Sequence, residues 1–353
     1  MNDQERRPRI LLVGVGALGG VVAHELILAG HDVTLLTHDP DTARTLRISG
    51  LREVRSGRIV LPKVIEGAPA QGDHFDYVFL ATQPTAIESA VPGLVDTIGD
   101  AGRFVCLQNG LCEERIAQFV PRNRIVGVVV AFGASAHGAG LCERTSTGGV
   151  VIGNLDGALD ETLERLMHVL SVLGPARTTT NLIGIRWSKL AVNCAISTLG
   201  TIGGERLGVL LRLKFVRQLA LRIIAEAVEV ASALGVTLER LPGVPPLEWL
   251  ARANHGQSMR GRLEVAARHG IALGIGTRYR WLRSSMLRAI ERGKEPAVDY
   301  LNGEVTSRAQ SLGIPTPVNS AAQNLVWAIA RGEQPAAVST LELLQSKVVE
   351  VGT

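Results

Sequence analysis

Cysteine is scarce: Cys106, Cys112, Cys142 and Cys194 are the only ones in 353 residues, and no CxxC pair or His/Cys metal spacing joins them. So thin a set is neither a disulfide framework nor a metal centre, and it fits a reducing cytoplasm. Charge of one sign is also missing. Basic residues exceed acidic ones by only 37 to 33, scattered along the chain, and aromatic residues make up 4%. No Lys/Arg block with interleaved aromatics marks a nucleic-acid surface, although the balance tolerates an anionic ligand. No apolar run reaches the length of a membrane span, and the opening Met1 to Pro8 lacks the apolar core of a signal peptide. A soluble protein without internal repeats is expected, long enough for two domains with separate cores.

What is present begins with Ile10-Leu11-Leu12-Val13, a continuous apolar run typical of a strand covered on both faces. It leads into Gly14-Val15-Gly16-Ala17-Leu18-Gly19, the G-x-G-x-x-G spacing. Gly14 permits the tight turn, Gly16 lets a pyrophosphate approach the backbone, and Gly19 lets the next helix pack close. That helix reads from Ala17 to Ala29, stops at Gly30, and is followed by the strand Val33–Leu36. A βαβ unit with a dinucleotide on the helix N-terminus follows. NAD sites place a carboxylate at the end of the second strand. Here that strand ends in Leu36-Thr37 and then His38, with Arg44 a little further on, so NADP is favoured. Asp39 competes as a ribose ligand, its alternative being an N-cap for the helix that Pro40 begins.

The rhythm continues through a hairpin around Ser56-Gly57, strands at Tyr77–Ala81 and Arg103–Leu107, and further strands at Ile125–Val130 and Val150–Ile152. Thr82-Gln83-Pro84 turns the first of these into a helix, and Gln108-Asn109-Gly110 ends the second. Ligands bind outside the carboxyl ends of such strands, so Asn109 is placed to hold substrate or nicotinamide; an Asn-Gly turn is the plainer reading. An amphipathic helix from Leu159 to Leu173 closes this part, and from Asn181 onward the pattern is helical. The expected fold is α/β, a Rossmann-type doubly wound sheet (residues 1–178, the NADP-binding domain) followed by an all-helical C-terminal domain (residues 181–353, for substrate and dimerisation).

The run Ile185–Leu199 is a helix apolar on nearly all sides, broken by Lys189, Asn193 and Ser197 at i, i+4 and i+8. An ammonium, an amide and a hydroxyl share one line. Buried against protein, the lysine would be costly unless paired; lining a cleft, it would be a proton donor beside a substrate; on a surface, it would simply be solvated.

Taken together, these features resemble the ketopantoate reductases (2-dehydropantoate 2-reductases) over nearly the whole chain. The carriers are Gly14 to Gly19, Leu107-Gln108-Asn109-Gly110, Lys189-Leu190-Ala191-Val192-Asn193, Ser284-Ser285-Met286-Leu287 and Asp299-Tyr300-Leu301-Asn302-Gly303. The resemblance implies that NADPH delivers a hydride to the carbonyl carbon of a 2-oxo acid in an interdomain cleft, with Lys189 as general acid. It implies cofactor contacts from Gly14, Val15, Gly16, Ala17, Leu18, Gly19, His38, Arg44, Gln83 and Asn109, and substrate contacts from Asn109, Asn193, Ser197 and Ser285. By itself Ser285 would be a helix N-cap. A homodimer is compatible with a helical second domain.

The departures from the family pattern are equally specific. Ala297 stands where the family has a catalytic acidic residue, Ser197 where it has a second asparagine, Gln83 where it has a lysine, and His38 where a basic residue is usual. Losing a carboxylate that holds a substrate hydroxyl weakens discrimination for that substrate. A different carbonyl or imine in a biosynthetic pathway is therefore an alternative to ketopantoate, and a weakly catalytic NADP-binding sensor is another. The stretch 236–283 looks extended and carries Trp249, Arg252, His255, Arg260, Arg262, Arg278, Tyr279, Arg280, Trp281 and Arg283. A substrate lid, a solvated helical hairpin and a dimer contact are its readings.

Overall fold

The computed structural model describes residues 7–252, 259–278 and 280–350, and the chain divides between Leu182 and Ile183 into two compact units. The first unit runs β1 (Arg9–Val13), α1 (Ala17–Leu28), β2 (Asp32–Leu36), α2 (Pro40–Ser49), β3 (Leu51–Glu53), β4 (Ile59–Val60), β5 (Lys63–Ile65) and β6 (Phe75–Leu80). It continues with α3 (Ile87–Ala90), β7 (Ile98–Cys106), α4 (Cys112–Ile116), β8 (Ile125–Val130), β9 (Ala134–Ala136), β10 (Leu141–Arg144), β11 (Val150–Asn154), α5 (Glu161–Leu170) and β12 (Ala176–Thr178).

The main sheet has the order β12-β11-β8-β7-β6-β1-β2-β5. Strands β5 to β8 along it are parallel, and β11 enters antiparallel to β8. The chain therefore winds outward from β1 in one direction through β2 and β5, then returns to build β6, β7 and β8 on the other side. Such a switch point, here between β1 and β6, leaves a crevice at the strands' carboxyl ends. Continuous apolar runs make this possible: Ile10, Leu11, Leu12, Val78 and Phe79 are all fully buried, as strands covered on both faces require.

A second sheet, β4-β3-β10-β9, was not expected from sequence beyond its β3–β4 hairpin around Ser56-Gly57. It lies against α1, where a Cβ on Gly20 would come within 3.0 Å of the Cys142 Cβ. Its strands are too short to show an alternation of their own. The expected helix ends also move. α1 stops at Leu28 with Ala29 as its cap, and the predicted Leu159–Leu173 helix is α5 followed by a 3-10 turn at Ser171–Leu173.

The second unit contains helices alone among its described residues: nearly all of α6 (Leu182–Gly203), then α7 (Leu207–Leu210), α8 (Lys214–Ala233), α9 (Leu247–Ala251) and α10 (Met259–Arg278). α11 (Ser285–Ile290), α12 (Asn302–Ser311), α13 (Pro317–Ala330) and α14 (Val338–Glu350) complete it. A buried polar chain fixes α6 among its neighbours. Asn302, fully buried at the start of α12, accepts from Thr198 Oγ1 and donates to the Cys194 carbonyl at 3.4 Å and to Asn319 Oδ1 at 2.9 Å. Asn319 donates to Glu226 Oε2 at 2.7 Å, and Glu226 also accepts the Val318 and Asn319 amides that open α13. A carboxylate from α8 thus caps α13. Burial pushes the Glu226 carboxyl up, and these N–H donors pull it back.

Replacing Asn302 with alanine leaves Thr198 and Asn319 without their buried partner. A loss of about 1–3 kcal/mol of unfolding free energy is expected, measured by urea denaturation; an unchanged midpoint would show that the chain of bonds adds no stability.

Candidate functional site

At the end of β1 the backbone turns at Gly14, whose φ of +96° is natural only for glycine. A Cβ there would stand 2.8 Å from the Thr82 nitrogen at the end of β6. Gly19 is held still closer, since its Cβ would sit 2.0 Å from the Gly14 carbonyl oxygen. Gly16 differs: it is exposed, and a Cβ would meet nothing within 4 Å. It is the N-cap of α1, with no side-chain cap and no acidic residue in the first turn. The first amides of α1 therefore point outward at an open backbone surface, the arrangement that receives a phosphate. Each glycine fits a dinucleotide on its own observation. Val15, Ala17 and Leu18 are half-buried in the same turn.

Around this turn lie the other strand ends. At the end of β2, His38 is exposed, and Asp39 accepts from the Asp41 amide at 3.3 Å and from the Thr42 hydroxyl. Asp39 is thus the N-cap of α2, with Pro40 as the first helical residue. Arg44 is exposed and paired with Asp41. Gln83 is exposed, directly after Thr82. Asn109 is exposed beside Gly110, which takes φ +93°, and its carbonyl accepts from Cys112 Sγ at 3.2 Å, so the turn is real. Two residues to which sequence reasoning gave no role tie these ends together. Gln108, buried, donates through Nε2 to Thr82 Oγ1 at 3.1 Å and accepts from Cys106 Sγ at 3.2 Å. Their position at strand ends was the available signal.

In the second unit, α6 sets the exposure of Lys189. From Gly184 to Gly203 every residue is buried except Lys189, Val192, Asn193, Ile196 and Ser197, which are half-buried. The lysine is therefore neither sealed in a core nor splayed on a surface. The partly open strip is Lys189, Asn193 and Ser197 bordered by two aliphatic side chains.

At its far end the Ser197 carbonyl accepts from Thr201 Oγ1 at 2.8 Å and from Ser284 Oγ at 2.9 Å. Ser284 is also the N-cap of α11, receiving the Leu287 amide. This corrects the N-cap reading of Ser285, which is exposed as the first residue of the helix; its neighbour does the capping because it is the one turned inward. Ala297 is half-buried in a 3-10 turn, Ala297–Tyr300. Asp299, exposed in the same turn, accepts through Oδ1 from Gln323 Nε2 at 2.7 Å and Trp327 Nε1 at 2.9 Å.

Of the aromatic and basic residues between 236 and 283, Trp249 lies on α9 with the Arg268 guanidinium 6.0 Å from its ring. Trp281 is exposed, with Arg206 and Arg280 at 4.6 and 5.6 Å. Arg283 pairs with Glu291. His255, Tyr279 and the side chains of Arg260, Arg262 and Arg278 lie outside the described residues. Among the described residues no His/Cys/Asp/Glu group has the makings of a metal site, all four cysteines are buried outside any disulfide, and no helix is long and apolar enough to cross a membrane.

Comparison with known proteins gives a consistent picture. The chain is 26% identical over 331 residues to a 2-dehydropantoate 2-reductase of Archaeoglobus fulgidus, covering 93% of this chain and 99% of that one. A 2-dehydropantoate 2-reductase of Pyrococcus abyssi is 25% identical, with 92% and 98% covered. Among solved structures, a PanE/ApbA family ketopantoate reductase from Ralstonia eutropha JMP134 superposes with a TM-score of 0.74 at 25% identity, covering 92% of this chain and 99% of that one. A D-mandelate dehydrogenase solved with NADH and anilino(oxo)acetate shares the fold, with a TM-score of 0.77 at 20% identity, covering 92% and 98%. The family model described as "Ketopantoate reductase PanE/ApbA" matches residues 10–157, and the one described as "Ketopantoate reductase PanE/ApbA C terminal" matches residues 181–330. With both models matched in order along most of its length, the chain belongs to the ketopantoate reductase PanE/ApbA family, whose members are oxidoreductases acting on a carbonyl and its CH–OH counterpart.

Proposed function

We propose that this protein is an NADPH-dependent reductase of a 2-oxo acid, with Lys189 as its general acid. The observation that carries the reading is the half-buried strip of Lys189, Asn193 and Ser197 on an otherwise buried helix, in a chain that also holds an open glycine turn. The nicotinamide, when bound, supplies a hydride to the carbonyl carbon, leaving the oxidised cofactor and a 2-hydroxy acid. The ammonium of Lys189 stabilises charge developing on the carbonyl oxygen and gives it a proton. Asn193, Ser197 and Ser285 orient the substrate by hydrogen bonds, and Asn109 contacts substrate or cofactor. In this division of labour the first unit binds cofactor through residues 14–19, His38, Arg44 and Gln83, and the second binds substrate; a homodimer formed through the second unit in a reducing cytoplasm is the setting we assign it.

NADPH is preferred over NADH on this reading because Asp39, the one carboxylate at the end of β2, is spent on capping α2. His38 and Arg44, the latter paired with Asp41, are the residues proposed to meet a 2′-phosphate. The D-mandelate dehydrogenase neighbour was solved with NADH, so both cofactors belong in the test.

Ketopantoate is the first substrate to try, from the names of the relatives. A relative acting on another carbonyl is the second reading, favoured by Ala297 and by the aryl 2-oxo compound bound to the D-mandelate dehydrogenase. A panel decides: binding of NADPH and NADH, then cofactor oxidation with ketopantoate, aliphatic 2-oxo acids and aryl 2-oxo acids. Tight cofactor binding with no turnover on any of them would replace the enzyme reading by that of a dinucleotide sensor.

Introducing the missing carboxylate is informative in the other direction. Ala297→Glu is expected to raise kcat/KM for ketopantoate about tenfold, a restored hydrogen bond to a charged group being worth about 1.5–3 kcal/mol. No gain in that variant would mean that the position does not meet the substrate.

A further inference from the structure

Away from the strip on α6, the second unit holds a cavity of about 340 Å³ among α8, α9, α10 and α14. Its walls are of two kinds. Phe215, Leu219 and Leu250 make an apolar side, Arg222, Arg252 and Arg268 also line it, and no carboxylate is among its described lining residues. Arg268 is only 4% exposed, held by the Glu264 and Arg252 carbonyls and by the Trp249 ring. Glu226 lies close enough to feel Arg222, but its oxygens are taken by the amides of α13. His269, also in the lining, has its Nδ1 buried without a hydrogen-bond partner. Burial, together with Arg217, Lys214 and Arg268, holds this imidazole below its usual range, so it does not add a further cation at neutral pH.

Clustered cations over low-dielectric walls concentrate an anion, and a buried arginine without a carboxylate partner gains from one. The volume lies at the small end of ligand sites, and the apolar side calls for a hydrocarbon body as well as a charged head. We propose that this cavity binds a small amphipathic carboxylate, its head among Arg222, Arg252 and Arg268 and its short apolar chain against Leu219 and Leu250. The site is separate from the one assigned to Lys189 and does not depend on the identity of the substrate.

Titration calorimetry on the full chain with saturating NADPH tests this, using hexanoate as probe, n-hexanol as its uncharged match and inorganic phosphate as a head without a body. Hexanoate is expected to bind at one equivalent, with hexanol and phosphate each at least about tenfold weaker. Arg222→Gln, at an exposed position, weakens hexanoate about tenfold, and Gln218→Trp, an exposed lining residue made large, removes binding. Either variant suffices if the other fails to fold, and Lys189→Ala leaves hexanoate binding as it was. No hexanoate binding, equal binding of hexanol, undiminished binding in both cavity variants, or loss in Lys189→Ala alone would each overturn the proposal.

Discussion

Lys189→Ala is expected to lower kcat by about 10²–10⁴-fold, the usual contribution of a positioned general acid, while the dissociation constant for NADPH stays within about twofold. The reasoning begins with exposure. A lysine free on a surface would lose nothing in turnover when truncated, and a lysine sealed in a core would unfold the protein when removed. Lys189 is half-buried, one of five such residues on a helix whose other positions from Gly184 to Gly203 are buried. Its removal takes away a charge that acts most strongly as the carbonyl oxygen becomes an alkoxide, so the effect falls on kcat. The cofactor lies on the glycine turn of the first unit in the proposed assignment, so its affinity is spared. Stopped-flow oxidation of NADPH, beside a fluorescence titration of its binding, measures both. Unchanged turnover would take the lysine out of the mechanism, and a collapse of cofactor affinity would give it a different task.

The glycine turn supplies the second large effect, because its three glycines are predicted to fail differently. Gly16→Val should fold with nearly the parent melting temperature, since a Cβ at Gly16 meets nothing within 4 Å. It should nonetheless weaken NADPH about 10- to 100-fold, the loss expected when one or two charge-assisted hydrogen bonds worth about 1.5–3 kcal/mol are blocked. Gly19→Val should fold poorly instead. Its Cβ would lie 2.0 Å from the Gly14 carbonyl oxygen, so α1 must move off β1. Overpacking costs about 1–3 kcal/mol where side chains can give way, and backbone gives way less. Gly14→Ala combines a φ of +96° with a Cβ 2.8 Å from the Thr82 nitrogen, so it too should act on stability. Melting curves and NADPH titrations on the three variants separate the two outcomes. If Gly16→Val binds NADPH as the parent does, no phosphate rests on that turn.

Much of this was legible along the chain because it depends on neighbours in sequence. The covered strand β1, the turn after it and α1 follow from four apolar residues and three spaced glycines. Asp39 followed by Pro40 signals the start of α2, and Gly30 the end of α1. The small sheet was not legible, because β9, at three residues, pairs with β10, and β10 with a distant β3 in parallel. Strands so short form only when long-range pairing and the face of α1 supply the stability that local pattern lacks. Sequence put Lys189, Asn193 and Ser197 on one line but gave no role to Thr82 and Gln108, which meet by hydrogen bond across strands 26 residues apart. It also offered Ser285 as a cap where Ser284 serves, since two adjacent serines differ only in which one turns inward.

By itself the sequence determined that a doubly wound sheet precedes a helical half, that a glycine turn opens the first helix, and that an ammonium, an amide and a hydroxyl share one helical line. Periodicity and backbone freedom are properties of a few consecutive residues, and they need no partner to be read. Only the tertiary structure decided that this line is the half-open strip of a buried helix, that the Asp39 and Asp299 carboxylates accept hydrogen bonds from their own surroundings, and that three arginines line one partly apolar cavity. Burial and hydrogen-bond partnership are fixed by residues far apart in the chain, and those two quantities determine whether a polar side chain is free for chemistry or occupied in holding the fold.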